Sequence, residues 1–313
     1  MSILSTKTLR RITQRALFAL PRPVRVRIDR WLRGQKEFRK LQNADYVVVS
    51  LPKSGRTWLR VMLSRYFQQK YQLPENLVLG FSNFRKQDKR VPRILFTHDH
   101  VIRYYTGNLD SKKDFYNKKV ILLVRDPRDV VVSMYHQWSH RADPQKRALY
   151  SELSPDNSVN LFEFAINEHH GIPRNIRFLN SWHNDLGKFD HILVVHYEDL
   201  RRSPPETMKQ ILEFMDEPVS DAEIQDIVSY ADFSNMKKRE QNQDFKTSSK
   251  RLFSQNTDAR KTLKTRRGKV GGFIDYMTPE QIVAINHQIS LELSPYFGYN
   301  NSPENPVDGE PKG

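Results

Sequence analysis

Cysteine is absent from all 313 positions, so disulfides, thiolate zinc sites and a cysteine nucleophile are excluded, and a reducing intracellular compartment is compatible. No apolar run approaches the roughly 20 residues that a membrane-spanning helix requires. Ala16–Leu20 is far too short, lies in strongly basic sequence, and lacks the longer apolar core and small-residue cleavage site of a secretory signal. No internal repeat is visible. Acidic residues are scarce at the amino end. The first 40 residues carry 12 Lys and Arg against Asp29 and Glu37, so ten of the fifteen net positive charges sit in that arm. Three readings of the arm stay open: a solvated extension, a peripheral contact with an anionic membrane surface through a basic amphipathic segment with Leu17, Phe18, Leu20 and Trp31, and a contact with an acidic acceptor. Nucleic acid ranks below these, because no nucleic-acid-binding signature accompanies the charge.

What is present suffices for a core. The chain is 38% hydrophobic at 37.0 kDa, which allows one large α/β domain or two small ones. The stretch from Tyr46 to Phe67 organises it. Tyr46, Val47, Val48 and Val49 form a continuous apolar, largely β-branched run, as in a central parallel strand covered on both faces. Trp58, Leu59, Met62, Leu63 and Tyr66 then recur at helical spacing, which makes Pro52 to Arg56 the strand-to-helix turn. Such a turn aims unpaired backbone N–H groups and the positive helix end at one point, and Lys53, Arg56, Ser54 and Thr57 add charge and hydroxyl donors. It is a cradle for an anion. Laid against the Walker A pattern, Ser50 stands at the first Gly, Gly55 and Thr57 fit, and Arg56 replaces the Lys.

Three further strands end in chemistry. Arg93 to Phe96 leads into Thr97-His98-Asp99-His100, titratable residues at the carboxyl end of a parallel strand, where open α/β sheets place their ligands. Val120 to Val124 runs into Arg125-Asp126-Pro127-Arg128-Asp129, with Asp126 as a helix cap and Pro127 at the first helical position. A strand-end arginine such as Arg125 can grip phosphate oxygens bidentately. His191 to His196 precedes Tyr197-Glu198-Asp199. Helical patterns cover about 161–169 and 174–186, and capping boxes start helices at Ser220 and Thr278. His169-His170 point apart on a helix and no carboxylate spacing completes a site, so no metal is expected.

PKSGRTW, residues 52–58, resembles the PKSGTTW loop of the cytosolic-type sulfotransferases, enzymes that use 3′-phosphoadenosine 5′-phosphosulfate (PAPS). The resemblance implies that Lys53, Ser54, Gly55, Arg56 and Thr57 hold the 5′-phosphate of the donor; only Arg56 departs from the family string. The family's KTHLP implies that His98 is the general base, with His100 and Asp99 in reserve, while Phe96 stands where the family has Lys. RDPRDVVVSMYH is similar to RNxxDVxVSxYH, which implies that Arg125 and Ser133 bind the 3′-phosphate; Asp126 replaces Asn, leaving Asp126 and Asp129 as caps or orienters of Arg128. The YED string implies an adenine contact for Tyr197. DFSNMK, similar to TSFxxMK, implies that Phe233 and Trp58 sandwich the base, with Ala231 where the family has Thr. Arg266-Arg267-Gly268 resembles the RKG that closes over the 3′-phosphate, Gly272 and Phe273 replacing Asp and Trp, in a polar stretch expected to act as a lid. The family's dimer string KxxxTVxxxE is not kept, since Ile274 and Pro279 stand where Lys and Val belong.

The resulting expectation is a single α/β domain over 44–300, a central parallel sheet flanked by helices in a P-loop-NTPase-like architecture, with a basic extension over 1–43 and a disordered tail over 301–313. The expected reaction is in-line transfer of a sulfonate from PAPS to a hydroxyl or amine of a small-molecule, glycan or lipid acceptor, leaving PAP. His98 takes the proton, and Lys53 with Ser133 stabilises charge on the bridging oxygen. The expected location is cytoplasmic. Two rivals are a nucleotide kinase or NTPase, which lacks its Walker Lys here, and a basic membrane- or nucleic-acid-binding module with a decayed site, against which the retention of Lys53 and His98 argues.

Overall fold

The computed structural model describes residues 20–140, 159–242, 244 and 268–300. In chain order its helices and strands are α1 (Arg22–Gln42), β1 (Tyr46–Ser50), α2 (Arg56–Lys70), α3 (Asn83–Gln87), β2 (Ile94–Thr97), α4 (His100–Thr106), β3 (Lys119–Val124), α5 (Pro127–His140), α6 (Leu161–Ile166), α7 (Ile172–His183), β4 (His191–His196), α8 (Tyr197–Arg202), α9 (Pro204–Phe214), α10 (Asp221–Tyr230), α11 (Phe233–Asn242) and α12 (Pro279–Glu292). The four strands form one sheet in the order β2-β1-β3-β4, and every pairing is parallel. The single α/β domain with a helix-flanked parallel sheet is therefore as the sequence predicts.

All five residues of β1 are buried, because it lies between two neighbours and under helices on both faces. Alternation along the strand divides its valines. Val48 joins Ile121, Leu123 and Val195 under α2, α9 and α10, whereas Val47 and Val49 join Val120 and Leu122 under α5, α7 and α12. Burying one such valine is worth about 1.5–3 kcal/mol, so the run that reads as a central strand is also what holds the two layers together.

Sequence order reverses beside β1: the chain passes from β1 to β2 on one side and returns to β3 on the other. The loops after β1 and β3 diverge there, opening a crevice at the carboxyl ends of the strands.

Three helix ends differ from their predicted spans, among them that of the helix expected to reach 186, which ends at His183. The helix expected over 161–169 stops at Ile166, because the Asn167 side chain accepts from the backbone N–H of His169 and of His170 and turns the chain. The helix expected from 174 begins at Ile172 with Pro173 in its first turn.

The basic arm is only partly an extension. Residues 22–42 form a 21-residue helix that lies along α4, with Leu41 buried. Gly34 makes the approach feasible, since a Cβ there would stand 2.7 Å from the carbonyl oxygen of Val101 and 2.8 Å from Cβ of Tyr105. Among the described residues no helix is long and apolar enough to cross a membrane.

Candidate active site

The turn after β1 is built on two residues in the left-handed region, Lys53 at φ 74° and Gly55 at φ 86°. Gly55 meets two demands at once: its φ favours glycine, and a Cβ would come within 2.4 Å of the Tyr197 ring. The tight turn buries Ser54, 1% exposed, and brings Tyr197 from the end of β4 against the start of α2.

A cavity of about 390 Å³ opens above this turn. Lys53, Gly55, Arg56, Thr57 and Trp58 line it from the β1–α2 segment, and His98 from the end of β2. Arg125, Ser133, Tyr197, Phe233 and Gly268 close the other sides. The structure thus gathers eleven of the predicted site residues from six separate segments; Ser54 is buried and is not among the lining residues, and Arg266 and Arg267 are outside the described residues. Trp58 is locked by donation from its indole N–H to the carbonyl of Ala231 at 2.6 Å, two residues before Phe233. That bond brings the two predicted base-stacking rings to the same cavity. Gly268, at φ 62°, packs on Phe233, whose ring would be 2.9 Å from an added Cβ.

Arg125 spans the cavity floor. Its guanidinium donates to the Lys53 carbonyl at 3.1 Å and to Asp129 at 3.0 Å, and lies 4.2 Å from the centroid of the Tyr197 ring. Its buried Nε has no hydrogen-bond partner among the described residues. Asp129 accepts in turn from the backbone N–H of Gly271 at 3.0 Å and of Phe273 at 3.1 Å. It therefore ties the residues just past Gly268 to α5, and burial pushes its carboxyl up. Asp126 takes the other predicted role: it accepts from the backbone N–H of Arg128 at 2.8 Å and grips the Arg128 guanidinium.

His98 is held at both ring nitrogens. Nδ1 lies 2.7 Å from the Ser50 carbonyl, which can only accept, so Nδ1 carries the proton. Nε2 lies 2.6 Å from Nη2 of Arg56, which can only donate, so Nε2 presents its lone pair. Burial, reinforced by the Arg56 cation, lowers the His98 pKa well below its ordinary value and keeps the ring neutral. The reserve candidates are otherwise engaged. His100 directs Nδ1 at the His98 carbonyl, 2.8 Å away. Asp99, fully buried and at φ 51°, turns its carboxylate away to Lys112 at 2.8 Å, the Trp182 indole at 3.0 Å and Arg103 at 2.8 Å.

Sequence reasoning missed Arg201, Gln137, Lys269 and Tyr276, all of which line the cavity. Arg201 carried a signal: it follows Tyr197 by one helical turn and so shares its face, and its guanidinium lies 5.2 Å from the Trp58 ring centroid. A further cation stands over the residue that replaces the family Lys, since the Arg60 guanidinium is 3.7 Å from the centroid of the Phe96 ring.

An open parallel sheet with a cation-rich, aromatic-walled cavity at its topological switch point defines a nucleotide-binding α/β protein. Residues 43–294 match the model of the sulfotransferase domain, and the chain belongs to that family of enzymes. Cytosolic sulfotransferase 13 of Arabidopsis thaliana is 26% identical over 268 residues, 79% of this chain and 76% of that protein. Sulfotransferase 2A1 of Rattus norvegicus is 25% identical over 211 residues, 64% of this chain and 69% of that one. Among solved structures, mouse sulfotransferase SULT7A1 complexed with PAP aligns with a TM-score of 0.52 at 21% identity, over 82% of this chain and 89% of that chain. Retinol dehydratase in a complex with retinol and PAP aligns with a TM-score of 0.51 at 16% identity, over 79% and 80%. At these identities the two structures speak for the shared fold.

Proposed function

We propose that this sulfotransferase moves a sulfonate from PAPS to a hydroxyl, or an amine, of an acceptor by in-line displacement. The observation that carries the reading is the single cavity in which an anion-binding turn, two aromatic walls and a neutral histidine meet. The residues suit the donor. Trp58 and Phe233 offer faces to a purine, the Lys53–Thr57 turn offers N–H groups and cations to the 5′ end, and Arg125 with Ser133 offers donors to the 3′-phosphate, the unpartnered Arg125 Nε among them. His98 Nε2 accepts the acceptor's proton as the new sulfur–oxygen (or sulfur–nitrogen) bond forms. The electron pair of the breaking sulfur–oxygen bond stays on the phosphate of PAP, where Lys53 and Ser133 stabilise the charge.

The acceptor is read only as a small molecule, glycan or lipid with such a nucleophile. The absence of a membrane-crossing helix among the described residues fits a cytoplasmic enzyme, and the basic arm fits peripheral contact with anionic lipid.

Incubation of the purified chain with PAPS and a metabolite extract, read by mass spectrometry, is expected to yield sulfonated product and stoichiometric PAP. Magnesium-dependent ATP turnover without binding of PAP would replace this reading with that of a nucleotide kinase or NTPase.

A further inference from the structure

Arg56 stands where the resembling loop has threonine, and its guanidinium is committed to the base itself. Nη1 donates to the carbonyl of Thr97 at 2.5 Å, and Nη2 donates to Nε2 of His98 at 2.6 Å. The planar fork therefore bridges the end of β2 and occupies the one lone pair on which an acceptor proton can land. No acceptor hydroxyl can hydrogen-bond to Nε2 while Arg56 is there. The same arginine is the first residue of α2 and lines the cavity beside Lys53 and Thr57, within the turn that offers its N–H groups to an anion.

We propose that Arg56 is a donor-operated cap on the catalytic base: without donor it covers His98 Nε2, and the anionic 5′ group of the donor draws it off and exposes the lone pair. The inference rests on the donor reading above. Its physical basis is the difference between the two partners. On His98 and the Thr97 carbonyl the guanidinium meets two neutral acceptors, whereas facing a phosphate or sulfonate it makes paired bonds to a charged one, and these are roughly twice as strong. An anion in the turn therefore outcompetes His98 for Arg56.

Two consequences follow. Donor must arrive before acceptor can bind productively, so the base is not offered to a hydroxyl when there is nothing to transfer. Neutralising Arg56 also removes a cation from beside the imidazole, which raises its proton affinity towards the range useful for a general base near neutral pH. The other charged or titratable groups around His98 are accounted for. Asp99 is spent on Lys112, Trp182 and Arg103, while His100, which directs Nδ1 at the His98 carbonyl, and then the Arg174 cation on α7 add smaller pushes in the same direction as Arg56.

The test follows the His98 ring by long-range ¹H–¹⁵N correlation in histidine-labelled full-length protein, assigned with His98→Gln, while PAP binding is measured by calorimetry. In nucleotide-free wild type, His98 is expected to hold its Nδ1–H tautomer well below pH 6.5; saturating PAP should raise its proton affinity about tenfold or more. Arg56→Thr should show the raised value without nucleotide and respond little to PAP. Arg56→Lys, which keeps the charge but loses the fork, should keep part of the response and serves as the folding control. Identical His98 titration in wild type and Arg56→Thr overturns the cap. PAP binding that leaves wild-type His98 unmoved overturns it while the donor reading stands, and failure of PAP to bind overturns both.

Discussion

Replacing His98 by alanine removes the neutral imidazole nitrogen proposed to take the acceptor's proton. Transfer is expected to fall at least about a hundredfold, the usual range for a lost general base, while PAP affinity in calorimetry stays nearly unchanged. Loss of affinity with turnover intact at saturation would move His98 out of that role. Arg125→Ala should discriminate between ligands. Its bond to the Lys53 carbonyl supports the turn for any nucleotide, but only a 3′-phosphate would lose a charge-assisted partner. PAP binding should therefore weaken by about 1.5–3 kcal/mol more than binding of AMP, and equal losses would remove Arg125 from the 3′ site. His100 sets a pH limit on stability. Burial, followed by the Arg174 cation, lowers its pKa from 6.5 to about 4. Between those values the unfolded chain takes the proton and the folded one resists it, so stability decreases as pH falls from about 6.5 to 4. His100→Gln should flatten the decline of Tm across that window; an unchanged slope would assign it to other groups.

At the scale of elements, the packing of α1 on α4 connects the basic arm to the site, because α4 begins at His100, two residues after His98. Removing residues 1–40 would strip that support, which the sequence had placed outside the domain. Gly34→Val forces side-chain atoms into the Val101 carbonyl and Tyr105, and is expected to cost about 1–3 kcal/mol in chemical denaturation. Gly187→Ala is the control, since its Cβ would meet nothing within 4 Å. Equal effects of the two would mean that α1 is not held by this contact. Much at this scale was legible. The capping boxes at Ser220–Glu223 and Thr278–Gln281 form as their spacing predicts, because a cap is a local bond between residues three apart. The same bond at Asn160–Glu163 was overlooked beside a breaker-rich stretch. The early stop at Asn167 went unseen because its side chain bonds beyond the apolar period that defined the helix.

At the scale of the whole molecule, charge is unevenly placed, with 12 of 51 cations in the first 40 residues. Cations near an anionic bilayer gain up to about 1 kcal/mol each and are screened within about 10 Å at 0.1 M salt. The full chain is therefore expected to co-sediment with phosphatidylserine-containing vesicles at low salt and not with neutral ones. Replacing Lys7, Arg10, Arg11 and Arg15 by Gln should weaken recruitment without altering PAP affinity. Indifference to lipid charge would leave the arm as a solvated extension or a contact for an acidic acceptor.

The sequence by itself determined the central strand, the turns that end in Lys53, His98 and Arg125, and the order of the segments, because each is a contiguous pattern whose chemistry lies within a few residues. Only the tertiary structure decided who faces whom. Arg56 meets His98 across 42 positions, Asp129 reaches Gly271 across 142, and Trp58 finds the carbonyl of Ala231 across 173. Such meetings depend on strand order, on the crossing from β2 to β3 beside β1, and on helices closing over both faces of the sheet. A side chain's long-range partner follows from that geometry, and no local period encodes it.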